Sequence, residues 1–244
     1  MTEAQTMTGQ AAEVLRALHN AALFAGTDDT LPVLTQVHFR VVEGTQVVEG
    51  TDRYAAAQQM LRSVYPPDGT LDGVLLSAKD LTGVAKAFRK ILRREVSPHV
   101  RAGAQITITV ADGATEAVLA LTRPSRTDVT EPAAVHIPPP GRIGAWPAAA
   151  VDALWKQHHR RLAKLDGNPW NRRHVFSASQ LARLAQVEGD SGADYGDNVQ
   201  LQFTTTGKTC YVTIGTEFRV LVQPVSEGGA LRKTATGAYS AVRQ

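Results

Sequence analysis

Twice in its first half the chain switches hydrophobic period, and this alternation most narrows the folds open to it. Residues 10–25, QAAEVLRALHNAALFA, place Val14, Leu15, Leu18 and Ala22 at helical spacing before Gly26, Asp28 and Asp29 stop the pattern. Val37, Phe39 and Val41 then alternate with His38, Arg40 and Val42, which is strand spacing, and Glu43-Gly44 turns the chain into the next run. After a break at residues 65–69, Gly73-Val74-Leu75-Leu76 reads as a short strand. Ser77-x-x-Asp80 reads as a capping box opening a second helix. Two alternating runs follow, 105–110 and 115–121, joined by the hairpin turn Ala111-Asp112-Gly113-Ala114. The order helix, strands, helix, strands repeats in pattern although the residues do not, and it implies an α+β fold of helices with antiparallel strands.

The second half begins differently. Residues 124–147 are rich in proline, including Ile137-Pro138-Pro139-Pro140-Gly141, and read as a linker. Residues 148–165 are helical in pattern, Asp166-Gly167-Asn168-Pro169 ends them, and Ser177-x-x-Gln180 caps a helix to about residue 187. Strands are expected at 199–204, 210–214 and 218–225. A chain of 244 residues has room for two domains. The expected organisation is a flexible N-terminus at 1–9, a first domain at 10–130, a linker at 131–147, a shortened second domain at 148–226 and a flexible tail at 227–244.

Hydrophobic residues make up 43% and charged residues 20%, which excludes wholesale disorder. No stretch is apolar for long enough to span a bilayer, and MTEAQTMTGQ lacks the pattern of a secretory leader, so a cytoplasmic protein without a membrane partner is expected. Cys210 is the only cysteine, which rules out an intrachain disulfide and a cysteine metal cage.

Motifs that could carry chemistry fail on spacing. Gly207-Lys208-Thr209 resembles the end of a phosphate-binding loop, yet Gln202 stands where that loop needs glycine. Asp190, Asp194 and Asp197 lack the alternate spacing of a calcium loop. His158 and His159 point about 100° apart on a helix and cannot share a metal. Cys210 reads as a small hydrophobe. No catalytic residue, metal or cofactor is expected.

Charge has a direction. Over residues 77–95, Leu81, Val84, Ala85, Phe88, Ile91 and Leu92 share one helix face, while Lys86, Arg89, Lys90 and Arg93 recur along another with no carboxylate among them. In the later helix Leu154, Trp155, His158, Leu162 and Leu165 form the apolar side, and Lys156, Arg160 and Lys164 form a second basic stripe. A solvated face accounts for one such helix; two point to a polyanion. Lysines and arginines on helices give phosphate contact without base readout, which fits double-stranded DNA of any sequence.

Specific segments then resemble a known family. Thr30-Leu31-Pro32-Val33-Leu34, Gly50-Thr51-Asp52-Arg53-Tyr54-Ala55-Ala56 and Val74-Leu75-Leu76-Ser77-Ala78-Lys79-Asp80-Leu81 are similar, in order, to segments of the DNA sliding clamp, the beta subunit of bacterial DNA polymerase III. Val175-Phe176-Ser177-Ala178-Ser179-Gln180-Leu181 resembles that family's entry to a late helix, and Phe218-Arg219-Val220-Leu221-Val222-Gln223-Pro224-Val225 its terminal strand. The resemblance covers most of residues 10–123 and 174–225. Clamps of this type carry three domains, whereas this chain has room for two and lacks the strands expected between residues 165 and 175, as in a divergent or phage-encoded member.

The resemblance implies a non-enzymatic processivity factor that binds duplex DNA, recruits DNA polymerase and meets a clamp loader. As a ring it would close as a homotrimer. The alternative is a clamp-like interaction module that does not encircle DNA. The resemblance also implies a partner-peptide pocket at Thr51, Arg53, Ala56, Leu221, Gln223, Pro224 and Val225. In it Arg53 stands where some members carry glycine, Ala56 replaces leucine and Gln223 replaces methionine, so the pocket is altered in shape and more polar.

Overall fold

The computed structural model describes residues 4–64, 69–95, 97–111, 117–124, 133–138, 145–162, 176–189, 199–203, 209–223, 232–233 and 239–240; at 157–162, 203, 232–233 and 239–240 it describes the backbone alone. A unit of strand, helix and three strands occurs twice. The first comprises β1 (Gln5–Gln10), α1 (Ala11–Phe24), β2 (Gln36–Val42), β3 (Thr45–Thr51) and β4 (Ala55–Leu61). The second comprises β5 (Val74–Ser77), α2 (Ala78–Arg94), the short helix α3 (Pro98–Ala102), β6 (Gln105–Val110), β7 (Ala117–Thr122) and β8 (Ala133–Ile137). Each unit lends its leading strand to the other: β1 pairs with β6 and β5 with β2, giving sheet orders β1-β6-β7-β8 and β5-β2-β3-β4. The repeat read from the sequence is thus an interlocked pair.

Local chemistry sets the ends of these elements. Glu43 and Gly44 both take positive φ, 51° and 78°, as a two-residue hairpin turn requires between twisted strands. Ser77 accepts a hydrogen bond from the Asp80 amide and opens α2, without the reciprocal bond of the expected capping box. Arg93 and Arg94 sit in the last turn of α2, where cations favour the helix dipole. α1 has no side-chain cap. Its Glu13 carboxylate instead accepts the Arg62 and Ser63 amides just past β4.

The largest core lies where both helices meet both sheets. Val14, Leu15 and Leu18 of α1 join Leu81, Val84 and Phe88 of α2, with Phe39 and Val48 from one sheet and Ile106, Ile108, Leu119 and Leu121 from the other. The apolar face read for α2 is this buried face.

The second half continues with α4 (Ala148–Leu162), α5 (Ala178–Leu184), β9 (Val199–Phe203), β10 (Cys210–Ile214) and β11 (Phe218–Val222). β11 adds to β4, so one seven-stranded sheet runs β5-β2-β3-β4-β11-β10-β9. Alternation sorts its faces. Ala55 and Ala57 of β4 pack with Phe24 of α1 and with Val220 and Val222, whereas Ala56 and Leu221 face the opposite side and meet Val151 and Trp155 of α4.

Several segments differ from expectation. Residues 5–9, read as flexible, belong to β1; Met7 is fully buried and Thr8 meets Thr107 at 3.0 Å across the ladder. QTMTGQ carries almost no apolar alternation of its own, so its strand state comes from its partner. The linker reading at 131–147 contains β8, paired with β7. In the described part of α4 the buried pair is Val151 and Trp155, whereas Leu154, assigned to the apolar side, is exposed. The closing residues, read as a tail, include β12 (Arg232–Lys233) paired with β13 (Tyr239–Ser240). Arg160 lies in α4 with only its backbone described, and Lys164, Pro224 and Val225 lie outside the described residues.

α1 can approach β3 closely because residue 50 is glycine. A Cβ there would sit 2.0 Å from the Ala21 carbonyl oxygen and 3.2 Å from the Ala25 amide, both backbone atoms that cannot swing aside. Gly50→Ala is expected to cost about 2–3 kcal/mol by overpacking, measured as a lower midpoint in urea unfolding with an unchanged slope.

Candidate partner-docking site at the sheet junction

The corner between β3 and β4 is built by Asp52. Its Oδ1 accepts the backbone amides of Tyr54 at 3.0 Å and Ala55 at 2.9 Å, and Thr51 donates its hydroxyl to the Ala55 carbonyl at 2.7 Å. The other carboxylate oxygen takes Arg183 of α5. The end of β11 then closes on the corner: the Gln223 amide donates to the Tyr54 carbonyl at 2.8 Å, and Gln180 donates to the Gln223 carbonyl at 3.0 Å.

Predicted pocket residues far apart in sequence therefore meet. Thr51 is opposite Ala56, Ala56 opposite Leu221 and Leu221 opposite Tyr211, one row across four strands. Gln223 is exposed at its edge. Arg53 does not join the row; its guanidinium reaches Asp28 at 3.4 Å, both side chains about half exposed. The Thr30 hydroxyl, followed by the Thr30 amide, holds the Asp28 carboxyl below its ordinary pKa. Two large apolar side chains flank the corner in solvent, Tyr54 at 61% exposure and Leu181 of α5 at 51%.

The floor of the row is covered by α4. Trp155 is 5% exposed over Ala56 and Leu221, with the Arg219 guanidinium 4.9 Å from its ring centre and Tyr211 edge-on at 6.2 Å. Beside it runs a second row, His38, Glu49, Gln58 and Arg219, one residue from each of β2, β3, β4 and β11. Its members bond in sequence: His38 Nδ1 lies 3.0 Å from Glu49, Gln58 donates to Glu49, and Arg219 donates to Gln58 at 2.8 Å. Trp146 stacks on His38 at 4.9 Å. Arg40 bridges Glu49 at 2.9 Å and Asp152 of α4 at 2.8 Å. Burial opposes its charge but is outweighed by the hydrogen bond to Asp152 and the field of Glu49, so its pKa is raised.

The described members of the two basic stripes lie on different helices. Lys86, Lys90 and Arg93 are exposed on α2. Arg89 is partly buried and donates to Glu188 at 2.6 Å and to the Leu15 carbonyl at 3.1 Å, so the chain supplies its anion. Lys156 is exposed on α4, which lies across the sheet face opposite α1 and α2. Sequence reading missed Glu188, Arg183 and Arg219, whose partners lie far away in the chain. Cys210 is buried, and burial pushes its thiol up to about 12, as suits a small hydrophobe. Among the described residues, no cluster of His, Cys, Asp or Glu could hold a metal ion, and no helix is long and apolar enough to cross a membrane.

No protein-family model matches the chain. Its fold is that of solved DNA sliding clamps. It is similar to a DNA polymerase sliding clamp from Pseudomonas aeruginosa, with a TM-score of 0.59 and 12% identity over 92% of this chain and 67% of that one. It is also similar to DNA polymerase III subunit beta from Borrelia burgdorferi, with a TM-score of 0.58 and 11% identity over 91% of this chain. The beta sliding clamp of C. crescentus gives a TM-score of 0.57 at 11% identity. The chain spans 64% of the length of the Borrelia protein. These likenesses bear out the helix and antiparallel-sheet architecture read from the sequence.

Arg53 takes φ of 81°, a region that favours glycine. Its exposed pair with Asp28 contributes little, and Asp28 keeps its Thr30 bonds without it. Arg53→Gly is therefore expected to stabilise the fold by about 1 kcal/mol, seen as a thermal midpoint about 2–4 °C higher.

Proposed function

We propose that the chain is a non-catalytic, clamp-fold docking module of a DNA polymerase assembly, which binds partner peptides at the sheet junction and does not encircle DNA. The observation that carries this reading is the meeting of Thr51, Ala56 and Leu221 in one row with Gln223 at its edge, flanked by exposed Tyr54 and Leu181. Aromatic and aliphatic side chains standing in solvent beside a polar corner with fixed backbone groups suit an apolar peptide anchor. The polymerase is the expected partner, by likeness to the clamps.

The electrostatics favour docking over encirclement. Arg89 is already paired, and Lys156, the member of the second stripe whose side chain is described, lies across the sheet from the α2 stripe. A short peptide bearing a Leu–Phe anchor pair is expected to bind the chain, and Tyr54→Ala to weaken it about tenfold with little change in thermal unfolding, as read by fluorescence anisotropy. Equal affinity in a folded Tyr54→Ala variant removes the corner as the docking rim.

The second reading, a sliding clamp on duplex DNA, is favoured by Lys86, Lys90 and Arg93, exposed together on α2 without an ion pair among the described residues. A ring also needs partners for sheet edges, and β9 ends the seven-stranded sheet with Val199 and Leu201 about half exposed. Light scattering separates the two: a monomer at micromolar concentration supports docking, and a trimer supports the ring, with a clamp loader then required. If α2 meets phosphates, replacing Lys86, Lys90 and Arg93 by alanine weakens binding to unrelated duplexes alike and flattens the salt dependence by about 3 in log–log slope. An unchanged slope excludes α2 from DNA contact.

A further inference from the structure

Helix α4 sits on the junction in the manner of a bound ligand. Among its described side chains the buried contacts come from Val151 and Trp155, spaced i and i+4, set on Ala56 and Leu221 with Tyr211 beside them. Asp152, between the two anchors, reaches Arg40 at 2.8 Å, and Arg219 lies over the Trp155 ring. An amphipathic helix laid into an apolar groove by anchors one turn apart, with one charge pair fixing its register, is a recurring mode of peptide recognition.

The described part of α4 is held lightly: of its side chains at 148–156 those buried are Val151 and Trp155, whereas α1 buries nine residues along its length. Three donors at this contact, Trp155 Nε1, Trp146 Nε1 and Arg40 Nε, are buried with no hydrogen-bond partner among the described residues.

We propose that α4 is an in-chain occupant of the docking groove, displaced when a partner peptide binds, so that the chain holds its own site closed. The proposal rests on the docking reading above. It gives the partner a chemistry: an apolar side chain that replaces Trp155 between Ala56, Leu221 and Arg219, and an acidic group that takes over Arg40 from Asp152. Covering Ala56 and Leu221 with a native helix also hides apolar surface while no partner is present.

The test uses the full chain and a dye-labelled synthetic peptide of residues 148–162, AAAVDALWKQHHRRL, followed by anisotropy. Two variants open the groove without altering the sheet. Val151→Ala with Trp155→Ala removes the anchors, and Asp152→Lys sets a like charge against Arg40 at a side chain more than a third exposed, where folding is retained. Both are expected to bind the labelled peptide at least about tenfold more tightly than the unchanged chain, the gain that follows if the groove stands open in about one molecule in ten. The same peptide carrying Trp155→Ala should not bind. Equal affinity for all three proteins, or no binding by any, overturns the proposal.

The Leu–Phe peptide separates this proposal from the docking reading. If opened chains take the α4 peptide while no chain takes the Leu–Phe peptide, α4 is the occupant and the docking reading fails. If every chain takes the Leu–Phe peptide equally and none takes the α4 peptide, docking stands and the occupant proposal falls.

Discussion

The pairing of β11 with β4 is the contact on which the rest of the second half depends. It sets Val220 and Val222 beside Ala57 and Ala55 on the face covered by α1, and Leu221 beside Ala56 on the face covered by α4. A slip of one residue would exchange the two faces, burying Arg219 against Phe24 and exposing the valines. The run of alanines at 55–57 permits this arrangement, because small side chains let a helix approach each face of one strand.

A buried polar seam holds that register. Asn20 of α1, fully buried, donates to the Glu188 carbonyl and to Gln59, and accepts the Glu188 amide, each at 2.9 Å. Arg16 meets Glu217 at 2.7 Å, and the Met60 amide donates to the Glu217 carbonyl at 3.0 Å. Such groups are costly to bury unpaired, so a different docking of the β9–β11 hairpins onto the first half would leave them unsatisfied. Arg89 reaching Glu188 belongs to the same seam. This is the reason one member of the α2 stripe is not available to a polyanion.

The two sheet faces are accordingly different in kind. The α1 side carries two apolar clusters together with the polar seam, while the α4 side combines a small apolar cluster with the row His38, Glu49, Gln58 and Arg219. Trp146 and Trp155 cover the two ends of that row, one stacked on histidine and one under an arginine. Charged and amide side chains in register along four strands give this face a preferred seating for α4 that apolar packing alone would not provide.

Period and turn chemistry were legible in the sequence because they are local. The α1 and α2 faces, the Glu43-Gly44 turn, the Ser177 capping box and the corner at Asp52 all follow from residues within a few positions of one another. β1 and β8 were not legible, since QTMTGQ and AAVHI carry weak alternation and become strands through their partners, for β1 a strand about a hundred residues away and for β8 the preceding strand β7. The docking row was half legible: likeness in residues pointed to Thr51, Ala56 and Leu221, but nothing local says that α4 lies on top of them. Sequence alone determined which residues form amphipathic helices, alternating strands and tight turns, since each depends on backbone preferences and neighbours in the chain. Tertiary structure alone decided that β11 joins β4, that Glu188 neutralises Arg89 and that Trp155 covers the junction, because these contacts link residues far apart in sequence whose pairing follows from the best shared burial of apolar surface and polar groups.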